Sequence, residues 1–144
     1  MPGANTTRCF LSIHGPGWSL LEGENEAQAR EVIKRGEEEG MIVATTVLAE
    51  VYYILDREKG TATAEKTMEM ISGFDHLDIL PVTPSIAIRG AQLRRKYYSQ
   101  ADERTPSYAD MIHLATAEEV AGCDLLCTGD SDFEDITEVE CHVF

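Results

Sequence analysis

Three acidic side chains that lie far apart in the sequence have the types that phosphate chemistry needs. Glu50 lies in a segment that predicts a helix after a short strand, and Asp110 lies near the start of another predicted helix. Asp130 follows the apolar run from Leu125 to Thr128. Carboxylates gathered at one place repel each other unless a cation lies among them. Oxygen donors of this kind suit Mg²⁺ or Mn²⁺, and such a cation activates water against a phosphodiester. The acids therefore predict a metal site and phosphodiester hydrolysis.

The sequence around Asp110 is apolar, with Met111 and Ile112 directly after it. Burying an unpaired carboxylate in such a segment is costly, so this side chain needs a partner. A capping role at the helix start and a buried arginine are the ordinary partners; we favour a cation that Asp110 shares with Asp130. Asp132 adds a further acid in the turn that carries Asp130.

Glu50 is expected in the first turn of its helix, where the helix dipole favours an acid even on the surface. Its neighbours Leu48, Val51, Tyr52 and Leu55 are apolar. We therefore expect Glu50 at the border of the buried face rather than opposite it.

Other chemistries have weaker support in the sequence. Ser107 and His113 do not make a convincing catalytic triad with these acids, because no G-x-S-x-G elbow is present. His113 is expected to be a packed or rim histidine. A phosphate-transfer receiver domain also collects acids at strand ends, but it needs a lysine near its last strand, and no lysine follows Lys96.

The four cysteines are too sparse and irregular for a disulfide framework in a chain of 144 residues. Cys123 and Cys127 are four residues apart, and Cys141 is adjacent to His142. Neither spacing is the C-x2-C knuckle of structural zinc sites, so reduced and mostly buried thiols are the preferred interpretation.

The net charge of −14 opposes a protein that coats itself onto nucleic acid through its overall charge. The imbalance is uneven, because residues 105–144 hold ten Asp or Glu and no Lys or Arg. A basic segment, Arg94, Arg95 and Lys96, lies beside Tyr97, and we expect it to touch the backbone and bases of an RNA. A solvated helix face is the alternative. Adaptation to high salt would also explain the acidic surplus.

The elements that must position these residues alternate between helix and strand. Right-handed crossovers then predict a mainly parallel sheet in a three-layer α/β/α sandwich, with a single domain over residues 1–144. No apolar run is long enough to span a bilayer, and the start has no signal-peptide pattern, so we expect a cytoplasmic protein. The predicted strands are 41–44, 77–80, 125–128 and 139–143, and the predicted helices are 25–40, 45–60, 62–72, 84–98 and 105–122. Thr45 or Thr46 is the expected N-cap of the second helix, and Thr83 and Thr105, each followed by proline, are the expected N-caps of the fourth and fifth.

Three segments resemble, in order and spacing, the three later motifs of PIN-domain ribonucleases, a group that includes the toxins of VapBC toxin–antitoxin pairs. They are Thr45–Val51, Tyr108–Ala117 and Leu126–Phe133. The resemblance implies a PIN-like α/β/α fold, dependence on Mg²⁺ or Mn²⁺, and cleavage of single-stranded or structured RNA. It also implies a homodimer and an antitoxin whose segment enters the acidic groove.

Carried over by motif, the resemblance gives each acid a role. Glu50, Asp110 and Asp130 would be metal ligands, Asp132 an auxiliary ligand, and Thr128 a hydroxyl that orients the site.

The chain departs from the PIN pattern at its start, where an aspartate usually follows the first strand. Thr6 stands at that position, or Asn5 if the alignment shifts by one residue. Losing one hard ligand weakens a Mg²⁺ site. The chain is then either a metal-dependent ribonuclease with an incomplete acidic site or an inactive PIN-fold protein that binds RNA or assembles with a partner. A different natural start would also account for the departure.

Overall fold

In the computed structural model, which describes residues 8–11, 38, 40–120, 123–128 and 131–143, five strands form one sheet. Every neighbouring pair of strands is parallel, so their carboxyl ends lie at the same edge. The order across the sheet is β3-β2-β1-β4-β5. The strands are β1 Arg8–Leu11, β2 Met41–Ala44, β3 Leu77–Leu80, β4 Cys123–Thr128 and β5 Glu140–Val143.

Four helices connect these strands in the described part of the chain: α1 Thr45–Lys59, α2 Thr61–Ser72, α3 Pro84–Tyr97 and α4 Tyr108–Glu119. A short 3-10 turn, Ser131–Phe133, follows β4. The predicted elements after residue 40 are therefore confirmed, although β4 begins two residues earlier and β5 one residue later than expected. The helix predicted over 25–40 falls almost entirely outside the described residues. None of the described helices has the length and apolar character that crossing a membrane requires.

Strand β2 shows why the helices lie on both faces of the sheet. All of its residues are buried, and alternate side chains point to opposite faces. Ile42 and Ala44 pack in one core with residues of α3 and α4, whereas Met41 and Val43 pack in a second core with residues of α1 and α2. Full burial of a large apolar side chain stabilises a fold by about 1.5–3 kcal/mol. These two cores make the three layers of the predicted sandwich.

The start of α1 differs from the prediction. The residue before the helix is Ala44, in an extended conformation and without a side-chain cap. The helix therefore begins at Thr45, and neither Thr45 nor Thr46 is its N-cap. Glu50 consequently lies in the second turn rather than the first, and the first turn carries no acid.

The starts of α3 and α4 use hydroxyl caps. Thr83 Oγ1 accepts a hydrogen bond from the amide of Ile86 at 3.2 Å, and Pro84 opens the helix, as predicted. The predicted N-cap of α4, Thr105, is wrong by two residues. Ser107 is its N-cap, because the Ser107 hydroxyl satisfies a first-turn amide that would otherwise lack an acceptor.

Candidate active site

The edge formed by the carboxyl ends of the strands is where the topology favours a functional crevice. The chain builds β2 and β3 on one side of β1 and then places β4 and β5 on the other side. In open parallel sheets, ligands bind outside the carboxyl ends at this reversal of strand order. Helix α1 begins directly after β2, and position 130 is two residues beyond the end of β4.

Asp110 is buried at the start of α4, with 1% of its surface exposed. Its Oδ2 accepts a hydrogen bond from the amide of Ser107 at 2.9 Å, and the Ser107 hydroxyl accepts from the amide of Asp110 at 3.1 Å. This reciprocal capping box gives the carboxylate one of the ordinary partners considered above. The capping box uses the Oδ2 atom of Asp110, and the Oδ1 atom of the same carboxylate is also buried.

Glu50 is half-buried on α1, and its Oε2 atom is inaccessible to solvent. The expected position at the border of the buried face is confirmed. Thr46 lies one turn earlier on the same helix face, because residues four apart are neighbours on a helix. The Thr46 hydroxyl is also buried, and it has no hydrogen-bond partner among the residues that the structure describes. The position of Thr46 four residues before Glu50 is the sequence signal that could have placed this hydroxyl beside the acid.

Helices α1 and α4 contact each other, so the elements that carry Glu50 and Asp110 are neighbours. Within the described residues, however, no three His, Cys, Asp or Glu side chains lie together in a group that holds a metal ion. Asp132 therefore does not complete a three-carboxylate group with Glu50 and Asp110. Asp130, the predicted third ligand, lies outside the described residues, as do Asn5 and Thr6 and the side chain of Thr128. The prediction that Asn5 or Thr6 follows the first strand needs correction, because β1 begins at Arg8 and ends at Leu11, so both residues precede it in the sequence.

The segment that follows β4 is held by Arg104, from the connection between α3 and α4. Its Nε donates to the main-chain carbonyl of Asp132 at 3.3 Å, and its second guanidinium nitrogen donates to the carbonyl of Glu134. The same guanidinium lies 5.2 Å from the ring centroid of Tyr97. Arg104 thus attaches the connection between the helices to the carboxyl-edge segment, a role that sequence reasoning missed.

Tyr97 and Lys96 both donate hydrogen bonds to Glu138, whose side chain is 6% exposed. The Tyr97 hydroxyl donates to Glu138 Oε2 at 2.8 Å and accepts from the amide of Thr137 at 3.3 Å. Lys96 Nζ donates to Glu138 Oε1 at 2.7 Å. Burial acts to raise the pKa of Glu138, but the hydrogen bonds from Lys96 and Tyr97 outweigh it and lower that pKa.

The predicted RNA contact of Tyr97 therefore needs correction, whereas those of Arg94, Arg95 and Lys96 stay predictions. Tyr97 is a core side chain, 9% exposed, and its ring does not reach a base in solvent. Lys96 is exposed but bonded to Glu138, and that hydrogen bond raises the pKa of Lys96. Arg94 and Arg95 line a groove of about 550 Å³ together with Ala91, Tyr98 and Tyr108.

The family model for the PIN domain matches residues 18–139. The chain belongs to the PIN domain family. The resemblance drawn from the three later motifs is thereby confirmed. A comparison with curated protein sequences finds no match.

Solved structures similar to this PIN domain have low sequence identity and the same fold. Mycobacterium tuberculosis VapC20, described as a toxin that cleaves the sarcin-ricin loop, is 18% identical with a TM-score of 0.68, over 91% of this chain and 98% of its own. A DNA-bound VapBC from Salmonella typhimurium is 17% identical with a TM-score of 0.66, over 94% of this chain and 97% of its own. A toxin–antitoxin complex from Klebsiella pneumoniae is 19% identical with a TM-score of 0.64, over 91% of this chain and 94% of its own. The predicted α/β/α architecture is confirmed as a PIN fold.

Proposed function

We propose that this PIN domain is a metal-dependent endoribonuclease and the toxin of a toxin–antitoxin pair. The observation that carries the proposal is the buried carboxylate of Asp110, which lies on a helix in contact with the helix of Glu50. Acidic side chains that neighbouring helices bring together repel each other, and a cation offsets that repulsion. A PIN domain with such a pair fits hydrolysis of phosphodiesters better than any other chemistry considered for this chain.

The donors suit a hard divalent cation, because they are all oxygens. In the proposal, Glu50, Asp110 and Asp130 hold Mg²⁺ or Mn²⁺, and Asp132 assists from the same turn as Asp130. Thr128 orients the site from the end of β4. When bound, the cation supplies Lewis acidity toward a phosphodiester oxygen and lowers the pKa of a water molecule.

The chain's own residues prepare this chemistry. The amide of Ser107 holds one oxygen of Asp110, so the carboxylate keeps one orientation when RNA arrives. Arg94 and Arg95 attract the RNA phosphates to one place on a protein whose net charge of −14 repels them elsewhere. This local attraction restricts RNA to the groove beside the start of α4.

The partners in this proposal are an RNA substrate, an antitoxin and a second copy of the chain. Two solved structures of similar fold are VapBC assemblies bound to DNA, and a third is a toxin–antitoxin complex. An antitoxin segment that enters the acidic groove around the proposed metal ligands would block RNA, and the pair would act in the cytoplasm.

The test is cleavage of a mixed RNA pool with Mn²⁺, with Mn²⁺ plus EDTA, and with the Asp110→Asn variant. Asparagine keeps a carbonyl oxygen for the Ser107 amide, so this change removes the charge and spares the cap. We expect cutting that EDTA abolishes and that the variant loses at least about 100-fold, as is typical when a charge-stabilising group is removed. Glu119→Gln, which removes an exposed acid from the other end of α4, should cut like the parent.

Equal cutting by Asp110→Asn, or cutting that is insensitive to EDTA, would refute the nuclease proposal. Tight RNA binding without cutting would instead support the inactive RNA-binding protein that the missing acid at Asn5 or Thr6 suggested.

A further inference from the structure

We propose that Tyr98, Arg94 and Tyr108 form a stacking site for an unpaired base of single-stranded RNA. The Arg94 guanidinium carbon lies 4.7 Å from the ring centroid of Tyr98 and 4.4 Å from that of Tyr108. Both distances are within the range of cation–π attraction. The Arg94 Nε also donates to the carbonyl of Pro106 at 3.2 Å, which fixes the guanidinium between the rings. The inference rests on the proposed function, because it names the form of RNA that the enzyme takes.

The two tyrosines are more exposed than a structural role requires. Tyr98 is 37% exposed and Tyr108 is 61% exposed. The adjacent Tyr97 shows what a structural tyrosine looks like in this fold, since it is 9% exposed and its hydroxyl is held by Glu138. Exposed aromatic rings beside cations are the surface on which single-stranded nucleic acids stack their bases.

The charges of α3 separate into two groups. Arg89 and Lys96 are each paired with a carboxylate, Glu118 at 2.7 Å and Glu138 at 2.7 Å. Arg94 and Arg95 form no ion pair with any residue in the described part of the chain, and both line the groove. These two cations are therefore available for phosphates on either side of a stacked base.

The position of Tyr108 connects this site to the proposed cleavage centre. Tyr108 is the first residue of α4, and Asp110 is two residues further along the same turn. A base that stacks on Tyr108 is therefore held at the start of the helix that carries the buried acid, although side chains two residues apart on a helix do not face each other. The bases of a duplex are already stacked on each other, so the site selects single strands.

The experiment measures RNA binding in EDTA, so that cleavage does not enter the result. A fluorescently labelled, unstructured 12-nucleotide RNA and the duplex of the same sequence are titrated with the full chain, and anisotropy is recorded. Tyr108→Ala should weaken single-strand binding about 5- to 150-fold, the usual effect of losing one stacked base. Tyr108→Phe keeps the ring and should bind within about twofold of the parent. Tyr98→Ala should weaken binding in the same direction.

Tyr53→Ala is the matched control. Tyr53 is 63% exposed and lies 5.4 Å from the guanidinium of Arg57, but it belongs to α1 and not to the groove. Its loss should leave RNA binding unchanged.

Three results would overturn the stacking site: no single-strand binding by the parent, unchanged binding by Tyr108→Ala, or equal binding of the duplex. The nuclease proposal fails separately. If Asp110→Asn does not reduce cutting while Tyr108→Ala reduces binding, the stacking site stands and the proposed metal chemistry falls. If cutting depends on metal and on Asp110 but Tyr108→Ala binds and cuts normally, the metal-dependent nuclease proposal stands and the stacking site is refuted.

Discussion

Replacing Gly90 with alanine tests the packing that places Asp110 in the fold. Gly90 is buried on α3, where that helix crosses α4. A Cβ added at this position would lie 2.8 Å from Ile112 Cγ1 and 3.1 Å from both the Cα and the amide nitrogen of Ile112. Carbon atoms at contact are separated by about 3.5–4.0 Å. The side chain of Ile112 can rotate, but its main chain moves only if α4 moves.

The sign of the change in the free energy of unfolding shows whether α3 and α4 approach each other this closely at Gly90. Alanine gains about 1 kcal/mol over glycine in the interior of a helix, so an unhindered site would be stabilised. Forcing an extra methyl into a packed core costs about 1–3 kcal/mol. Because two of the three short contacts are to main-chain atoms, we expect the upper half of that range, and hence a net loss of about 1–2 kcal/mol.

Urea unfolding followed by circular dichroism measures this difference. A loss of that size should lower the midpoint by about 0.5–1 M. Gly73→Ala is the matched control, since Gly73 has a right-handed helical conformation, and its added Cβ would be 3.5 Å from the nearest atom, the carbonyl oxygen of Met70. That variant should be unchanged or stabilised by about 0.4–1 kcal/mol. A Gly90→Ala protein as stable as the parent, or more stable, would refute the close approach of α3 and α4.

Three further variants test the contacts around the site. Ser107→Ala removes the cap of α4 and should reduce the free energy of unfolding by about 0.5–2 kcal/mol in thermal or urea unfolding, whereas an unchanged value would contradict the capping box. Glu138→Gln should destabilise the protein at pH 7, and the difference from the parent should shrink as the pH falls below about 4.3. This is because the folded-state pKa of Glu138 is lowered, so its contribution is present above the unfolded-state pKa and is lost as the pH falls through the folded one; a constant difference at all pH values would refute it. Arg104→Ala removes two donors to main-chain carbonyls, so amide hydrogen exchange should accelerate in residues 131–136 and not in α2, and equal exchange in both proteins would count against the attachment.

Local sequence patterns were sufficient for most of the architecture. The apolar run Met41–Ala44 and the Thr83–Pro84 pair specified β2 and the start of α3, because strand propensity and helix capping act between residues close in sequence. The three motifs were sufficient to recognise the PIN domain, since they depend on residue type and order alone. Where two capping signals competed, as with Thr105 and Ser107, the local pattern did not choose between them.

The tertiary structure alone decided which of the promising side chains face solvent. The sequence analysis chose Tyr97 as the aromatic residue beside the basic segment, yet the fold buries Tyr97 against Glu138 and leaves its neighbour Tyr98 at the groove with Arg94. Glu138 is 41 residues away from Tyr97, and no local period reports which distant residue packs against a helix face. Residue type and spacing thus determined the family and the elements of this protein, while long-range packing determined which cations of α3 are paired with a carboxylate and which form no ion pair within the described residues.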